Sequence, residues 1–214
     1  MKLGAWVQWK RGRGWLKGLV IVAAILLTGS VAGLACAGEP TEAIRGTIDE
    51  VLRILADKQL KQPSKANERR QLLETVVGER FDYHEMSRRS LGAPWNNLSD
   101  KEKEEFVSLF QTLLVNTYAD KVESYSGEGV QYVNERREKE YAEVRTKVLT
   151  GKTEIPLDYR LLNKGSAWRV YDVVVDGVSL VNNYRGQFSK ILRTSSYADL
   201  VDQLRKKSDK IKSP

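Results

Sequence analysis

Few residues in this chain of 214 amino acids have the types and spacing that catalysis or metal binding requires. The chain contains one His, His84, and one Cys, Cys36, whereas a zinc site needs several such ligands. Phosphate-binding glycine loops, the G-x-S-x-G elbow and the H-E-x-x-H motif do not occur in the sequence. We therefore predict that the protein is not an enzyme, holds no metal and uses no cofactor.

The carboxylates offer two candidates for acid–base chemistry. Glu104 and Glu105 stand near the start of a predicted helix, where acidic side chains complement the helix dipole. Asp172 stands within an apolar strand and is the better candidate for an acid. Because a buried carboxylate needs a partner, we expect Asp172 to have a structural role, paired with a nearby Arg.

Helical periodicity comes first along the chain. Apolar residues recur at helical spacing over 42–60 and 67–79. The clearest helix, 99–123, begins at the capping box Ser99-Asp100-Lys101-Glu102. Two more helices are predicted near the end of the chain, over 179–192 and 198–207.

Between these helices the period changes to that of strands. Four segments are predicted as strands: 130–137, 141–149, 154–162 and 167–175. Their short connections predict antiparallel hairpins. The pattern is typical of an α+β fold with N-terminal helices, a four-stranded antiparallel sheet, and C-terminal helices packed on one face of the sheet. Periodicity alone does not tell whether the apolar residues pack solidly or surround a cavity.

The fourth strand differs from the other three because it is apolar on both faces. Alternation predicts that one face of this strand carries Trp168, Val170 and Val174. The opposite face should carry Tyr171, Val173 and Val175. We therefore expect this strand to be covered on both sides.

The formal net charge of +7 is concentrated at the two ends of the chain. Residues 1–37 carry +5 and residues 205–214 carry +4, while residues 38–204 carry −2. A basic protein suggests nucleic acid as a partner, but here the body is nearly neutral, so we predict that no nucleic acid is bound.

Residues 1–37 have the pattern of an export signal. Basic residues precede the apolar run 19–37, which ends on the A-x-A sequence Ala35-Cys36-Ala37. We expect cleavage after Ala37; an uncleaved membrane anchor and a lipoprotein modified at Cys36 are the alternatives. The predicted organisation is a signal peptide over 1–37, one functional domain over 38–204 and a basic tail over 205–214.

Two segments resemble the MlaC family. The first is FDYHEMSRRSLGAPW, residues 81–95, and the second is WRVYDVVVDGVSLVNNYRGQF, residues 168–188. They are similar to the family patterns F-D-[FY]-x-x-M-[AS]-R…L-G-x-x-W and W-x-V-x-D-V…G-V-S-L-[VI]-x-N-Y-R-x-x-F. Gly186 stands where the family commonly has a Ser.

The resemblance implies a periplasmic phospholipid carrier of the lipid-asymmetry, or toluene-tolerance, transport system. It implies that lipid acyl chains are buried between sheet and helices, with the headgroup exposed. The implied partners are an inner-membrane ABC transporter with a lipid-binding ring and an outer-membrane lipoprotein–porin complex. We expect a monomer that leaves the lipid chemically unchanged.

With a lipid as the implied cargo, we expect large apolar side chains of the inner sheet face and of the helices to line the cavity. The candidates are Phe106, Phe110, Leu113, Tyr118, Val144, Val148, Leu157, Tyr159, Trp168, Val170, Tyr184 and Phe188. Asp172 and Arg185 belong to the second motif, and we expect structural pairing for both or a place for Arg185 at the mouth of the pocket. The alternatives are an exported interaction module with a solid core and no lipid cargo, and an exported hydrolase acting on lipid.

Overall fold

A computed structural model of the protein describes residues 39–125, 129–151 and 153–212, so the predicted export segment lies outside the described residues. The helices are α1 (Pro40–Ala56), α2 (Ala66–Arg80), α3 (Tyr83–Leu91), α4 (Asp100–Glu123), α5 (Leu180–Leu192) and α6 (Tyr197–Lys212). The strands are β1 (Val130–Glu138), β2 (Tyr141–Thr150), β3 (Thr153–Asn163), β4 (Trp168–Val175) and β5 (Val178–Ser179). This order confirms the α+β prediction.

The strands form one antiparallel sheet in chain order, β1 to β5. The four predicted strands are present, and a fifth strand of two residues follows β4. It is made by the turn Asp176-Gly177, in which both residues have positive φ angles, 48° and 78°. Two successive residues of positive φ are typical of the tight hairpin turns that match the twist of paired strands.

An irregularity in the β3–β4 pairing changes which β4 side chains share a face. Asp172 pairs with Arg160, but the next pair is Val170 with Leu161, so one residue of β4 has no partner on β3. A bulge of this kind reverses the alternation of side chains beyond it. Val173 therefore packs in the same cluster as Val170, and the sequence-based prediction that placed them on opposite faces is wrong.

Helix α4 begins as its sequence predicts. The Ser99 hydroxyl accepts a hydrogen bond from the Glu102 N–H, and the Glu102 carboxylate accepts one from the Ser99 N–H. This reciprocal arrangement satisfies two backbone donors that the first turn of a helix leaves without partners. The helix then buries Phe106 and Phe110 completely.

The C-terminal helix is longer than predicted. Helix α6 runs through the residues assigned to the basic tail and ends at Lys212. Within it, Arg205 forms ion pairs with Glu105 of α4 and with Asp202. In the part of the chain that the structure describes, no helix is long and apolar enough to cross a bilayer.

Two main clusters of side chains fill the interior. The first is aromatic and joins α3, α4, α5 and α6; its largest members are Trp95, Phe106, Phe110, Tyr184 and Phe188. The second joins α1 to the sheet; its members include Ile44, Val144, Leu161, Trp168 and Val170. A smaller cluster of Ile54, Leu55, Leu60 and Leu73 holds α1 against α2.

Helix α3 carries an ion-pair group built around a buried carboxylate. Glu85, only 6% exposed, accepts hydrogen bonds from Arg88 at 2.7 and 2.8 Å and from Arg89 at 2.7 Å. The hydrogen bond from Arg88 has the largest effect, and together these bonds lower the pKa of the Glu85 carboxyl from its usual 4.5 to about 2. The Arg89 guanidinium also lies 4.1 Å from the centre of the Tyr171 ring, which connects α3 to β4.

We expect the Glu85 group to make stability depend on pH. A carboxyl whose pKa falls on folding stabilises the folded state above its unfolded pKa, and this contribution is lost as pH falls from about 4.5 towards 2. Glu85→Gln should lower the free energy of unfolding at pH 7 by on the order of 3 kcal/mol. The difference from the wild type should shrink over the same pH range, as measured by urea denaturation followed by circular dichroism.

Glu50→Gln is the matched control, because Glu50 pairs with Arg53 on the exposed surface of α1. This variant should unfold close to the wild type at every pH. A Glu85→Gln protein as stable as the wild type at pH 7, or one whose deficit persists at pH 2, would contradict the account.

Candidate functional site

An apolar cavity of about 640 Å³ lies between the inner face of the sheet and the helices α1, α2 and α4. Protein interiors are normally packed with few voids larger than a water molecule, whereas ligand sites are clefts of roughly 300–1,000 Å³ with mostly apolar walls. In volume and in lining this cavity corresponds to a ligand site.

The floor of the cavity is made by three rows of side chains that face one another on neighbouring strands. The rows are Val130, Val148 and Ile155; then Leu157, Val175 and Val178; then Tyr159 and Val173. Alternation along each strand directs these side chains to one face. The bulge in β4 is what brings Val173 and Val175 onto this face.

The roof is made by one apolar stripe on each of three helices. The contributors are Ile44, Ile48, Val51, Leu52 and Leu55 of α1; Leu73 and Val77 of α2; and Leu114, Tyr118 and Val122 of α4. The α1 residues recur every three or four positions, the spacing of one helix face. Helix α1 therefore covers the sheet without filling the space above it.

Part of the wall is accessible to solvent. Two of its apolar side chains, Ile155 and Val178, are 36% and 57% exposed. Both lie towards the end of the sheet where β4 turns into β5. An apolar ligand therefore has a route into the cavity at this end.

Ion pairs connect α2 to α4 beside the cavity. Glu123 accepts a hydrogen bond from Arg69 at 2.5 Å and one from Arg70 at 3.2 Å. Arg70 and Glu123 both line the cavity. Burial raises the pKa of the Glu123 carboxyl, but the hydrogen bonds and charges of Arg69 and Arg70 together outweigh it and lower the pKa. The carboxylate therefore remains ionised and holds both arginines.

Arg80 lines the cavity at the end of α2. Its guanidinium donates one hydrogen bond to the Thr47 hydroxyl at 3.0 Å and one to the Trp168 carbonyl oxygen at 2.8 Å. Burial, and the nearby charge of Arg169, lower its pKa from the ordinary arginine value. Both acceptors are neutral, whereas Arg69 and Arg70 form ion pairs with the Glu123 carboxylate.

Three tyrosines of the wall, Tyr83, Tyr118 and Tyr159, remain neutral hydroxyls. Burial raises the pKa of Tyr83 to about 12 and also raises those of Tyr118 and Tyr159. None of them can act as a base near neutral pH, and each can donate a hydrogen bond. These three side chains thus offer hydrogen-bonding groups to a ligand.

The structure brings four of the twelve predicted lining residues together on the cavity wall: Tyr118, Val148, Leu157 and Tyr159. The other eight lie in the packed clusters beside it. Phe106, Phe110, Leu113, Tyr184 and Phe188 belong to the aromatic cluster, and Val144, Trp168 and Val170 belong to the sheet cluster.

Helix α1 supplies lining residues that the sequence-based selection missed. Ile48, Val51 and Leu52 face the cavity, and their spacing was readable as an apolar helix face. The distance between that helix face and the sheet could not be predicted from the sequence.

The two motif residues have separate surroundings. Asp172 is buried, and its carboxylate accepts hydrogen bonds from Arg160 at 3.1 Å, from the Ser179 hydroxyl at 2.6 Å and from the Val181 N–H at 3.0 Å. It therefore ties β4 to the start of α5. Arg185 is exposed on α5, and its guanidinium lies against Gly92; it is not part of the cavity wall.

The backbone conformation at position 92 requires a glycine. Its φ angle is 72°, and a Cβ at this position would lie 3.3 Å from the Arg185 Nε. Only glycine adopts this backbone conformation without strain. The L-G of the first motif and the Arg of the second motif thus meet in the fold.

The comparisons with known proteins agree with this architecture. The family model for MlaC protein matches residues 45–206. The intermembrane phospholipid transport system binding protein MlaC of Haemophilus influenzae is 24% identical over 120 residues, which are 53% of this chain and 56% of that protein. The toluene tolerance protein ttg2D of Pseudomonas putida is 23% identical over 180 residues, 83% of this chain and 82% of that protein.

A solved structure has the same fold. The phospholipid-binding protein of Ralstonia solanacearum, determined in complex with a phospholipid, matches with a TM-score of 0.74 and 23% identity. The match covers 82% of this chain and 100% of the other. The family model spans three quarters of the sequence and includes both motifs, and the chain belongs to the MlaC family.

Proposed function

We propose that this protein binds a phospholipid as a carrier and holds the acyl chains in the cavity between the sheet and helices α1, α2 and α4. The observation that carries the proposal is the apolar cavity of about 640 Å³. The family membership supports it, as do the names of the Haemophilus influenzae and Pseudomonas putida relatives and the phospholipid complex of the structural neighbour.

The physical reason for a carrier is the cost of exposing acyl chains to water. Each exposed methylene costs about 0.8 kcal/mol. Two chains of roughly 15 methylenes therefore represent about 24 kcal/mol of gross exposure. A wall of Val, Leu and Ile side chains replaces that contact with water and needs no reactive group.

We propose further that the carrier works in the periplasm and exchanges lipid between an inner-membrane ABC transporter and an outer-membrane lipoprotein–porin complex. The export signal predicted over 1–37 supports this location. The Haemophilus influenzae relative is an intermembrane phospholipid transport system binding protein, which supports a place in such a system. Such a carrier maintains the lipid asymmetry of the outer membrane without altering the lipid.

The interaction module without cargo is the weaker alternative. It requires a solid core, and the space between α1 and the sheet argues against one. The lipid hydrolase is weaker still: His84, the chain's one histidine, lies edge-on against Trp95, 5.1 Å between ring centres, and does not line the cavity.

The first test is the composition of the purified protein. We expect protein expressed from the full-length sequence, and purified without detergent, to carry phospholipid in a defined molar ratio. Organic extraction and native mass spectrometry measure this ratio. Recovery of the folded protein without lipid, and without uptake of lipid from vesicles, would contradict the proposal.

A second test fills the cavity from within. Leu157 and Val175 are partners in register at the centre of the floor, and Leu157→Trp with Val175→Trp should place two indoles in the space of the acyl chains. We expect the bound lipid per protein to fall by roughly tenfold, while the circular dichroism spectrum is retained because a cavity tolerates added volume better than a packed core. Phosphorus analysis after extraction gives the lipid content.

Val133→Trp is the control, because Val133 is 57% exposed on β1 and does not line the cavity. It should keep the lipid content of the wild type. Equal lipid content in the double variant and the control would show that the cargo lies elsewhere.

A further inference from the structure

We propose that Arg80 binds the anionic oxygen atoms of the cavity's ligand, either the phosphodiester of a phospholipid or the carboxylate of a fatty acid. This inference rests on the proposed lipid-binding function and adds an electrostatic subsite to it. It would orient the ligand with its head at the end of α2 and its chains along the floor of the sheet.

The first observation is the chemical setting of the Arg80 guanidinium. An arginine side chain has five N–H donors, and the hydrogen bonds to the Thr47 hydroxyl and the Trp168 carbonyl oxygen use two of them. Within the described ranges Arg80 forms no ion pair with a carboxylate; the charges that act on it are those of Arg169, which is also positive, and Glu79 beside it. The Arg80 side chain is partly buried, and a cation that is removed from water normally has an anionic partner.

The second observation is the contrast with the other end of the same wall. Arg70 also lines the cavity, but Glu123 and Asp120 lie within ion-pair distance of it, at 3.2 and 3.5 Å. An anion near Arg70 would have to compete with these carboxylates. Near Arg80 an anion would instead meet the positive charges of Arg80 and Arg169, opposed only by the charge of Glu79, which forms no ion pair with Arg80 among the described residues.

The third observation is the position of Arg80 along the sheet. It bonds to the carbonyl oxygen of Trp168, which pairs with Asn163 at one end of β3, while the exposed Ile155 lies near the other end. At a strand rise of about 3.4 Å per residue, these two ends are roughly 27 Å apart. The cavity floor covers the part of β3 from Ile155 to Tyr159, about 14 Å at the same rise per residue, and a head at Arg80 leaves this floor for the chains.

A purely structural role is the competing explanation. Arg80 links α2 to α1 and β4 through its two hydrogen bonds, and a cation at the end of a helix is favoured by the dipole. A structural clasp would affect charged and neutral ligands equally. A ligand-binding guanidinium would affect only ligands that carry an anionic head.

The experiment therefore compares ligands that differ only in the head. Delipidated full-length protein is titrated with phosphatidylglycerol and with diacylglycerol of the same chains, and separately with oleate and oleyl alcohol. The wild type should bind the anionic member of at least one pair more tightly. In Arg80→Gln this preference should fall by about tenfold, because a charge-assisted hydrogen bond is lost, and Arg80→Lys should restore part of it.

Arg53→Gln is the matched control, since it removes the same charge from the exposed face of α1, where Arg53 pairs with Glu50. It should leave the preference unchanged. A loss confined to the phosphatidylglycerol pair assigns Arg80 to the phosphodiester, and a loss confined to the oleate pair assigns it to the carboxylate.

Two results would overturn the inference. One is a folded Arg80→Gln protein with the wild-type preference, and the other is a wild type that binds the charged and neutral members of both pairs equally. Either leaves the proposed function intact, since lipid is still bound. Failure of the wild type to bind any of the four ligands would instead overturn the proposed function itself.

Discussion

The apolar face of the antiparallel sheet is the constraint on which the rest of the structure depends. A sheet with one apolar face must cover it, and the chain does so in two ways. Near Trp168 and Val170 the cover is direct packing with Ile44 of α1. Further along, α1 and α2 remain at a distance, and the same kind of side chain borders a cavity of about 640 Å³.

The aromatic cluster of α3, α4, α5 and α6 provides a solid core beside the cavity. Its rings pack against one another without entering the cavity wall; Phe106, Phe110 and Phe188 all have ring centres 5.6–6.1 Å apart. Asp172 of β4 accepts hydrogen bonds from Ser179 and Val181 at the start of α5, and these bonds connect the cluster to β4. One part of the domain can thus be solid and stable while the other part accommodates a ligand.

The element types could be predicted from the sequence because each depends on local spacing. The capping box at Ser99 and the alternation in β2 and β3 are examples. The division between core and cavity could not be predicted, since Phe110 and Leu157 belong to the same apolar class and only the distance between layers separates them. The face of Val173 was mispredicted because a bulge is a property of the pairing with β3, and the polar settings of Arg70 and Arg80 depend on partners far along the chain.

The location of the acyl chains is the central claim, and photo-crosslinking tests it most directly. A phospholipid with a diazirine in its acyl chain is loaded into the wild-type protein, and the labelled residues are identified by mass spectrometry after irradiation. We predict labels on the wall residues Val51, Val148 and Leu157. Labels restricted to the outer face of the sheet, at Arg145 or Asp158, would contradict the account.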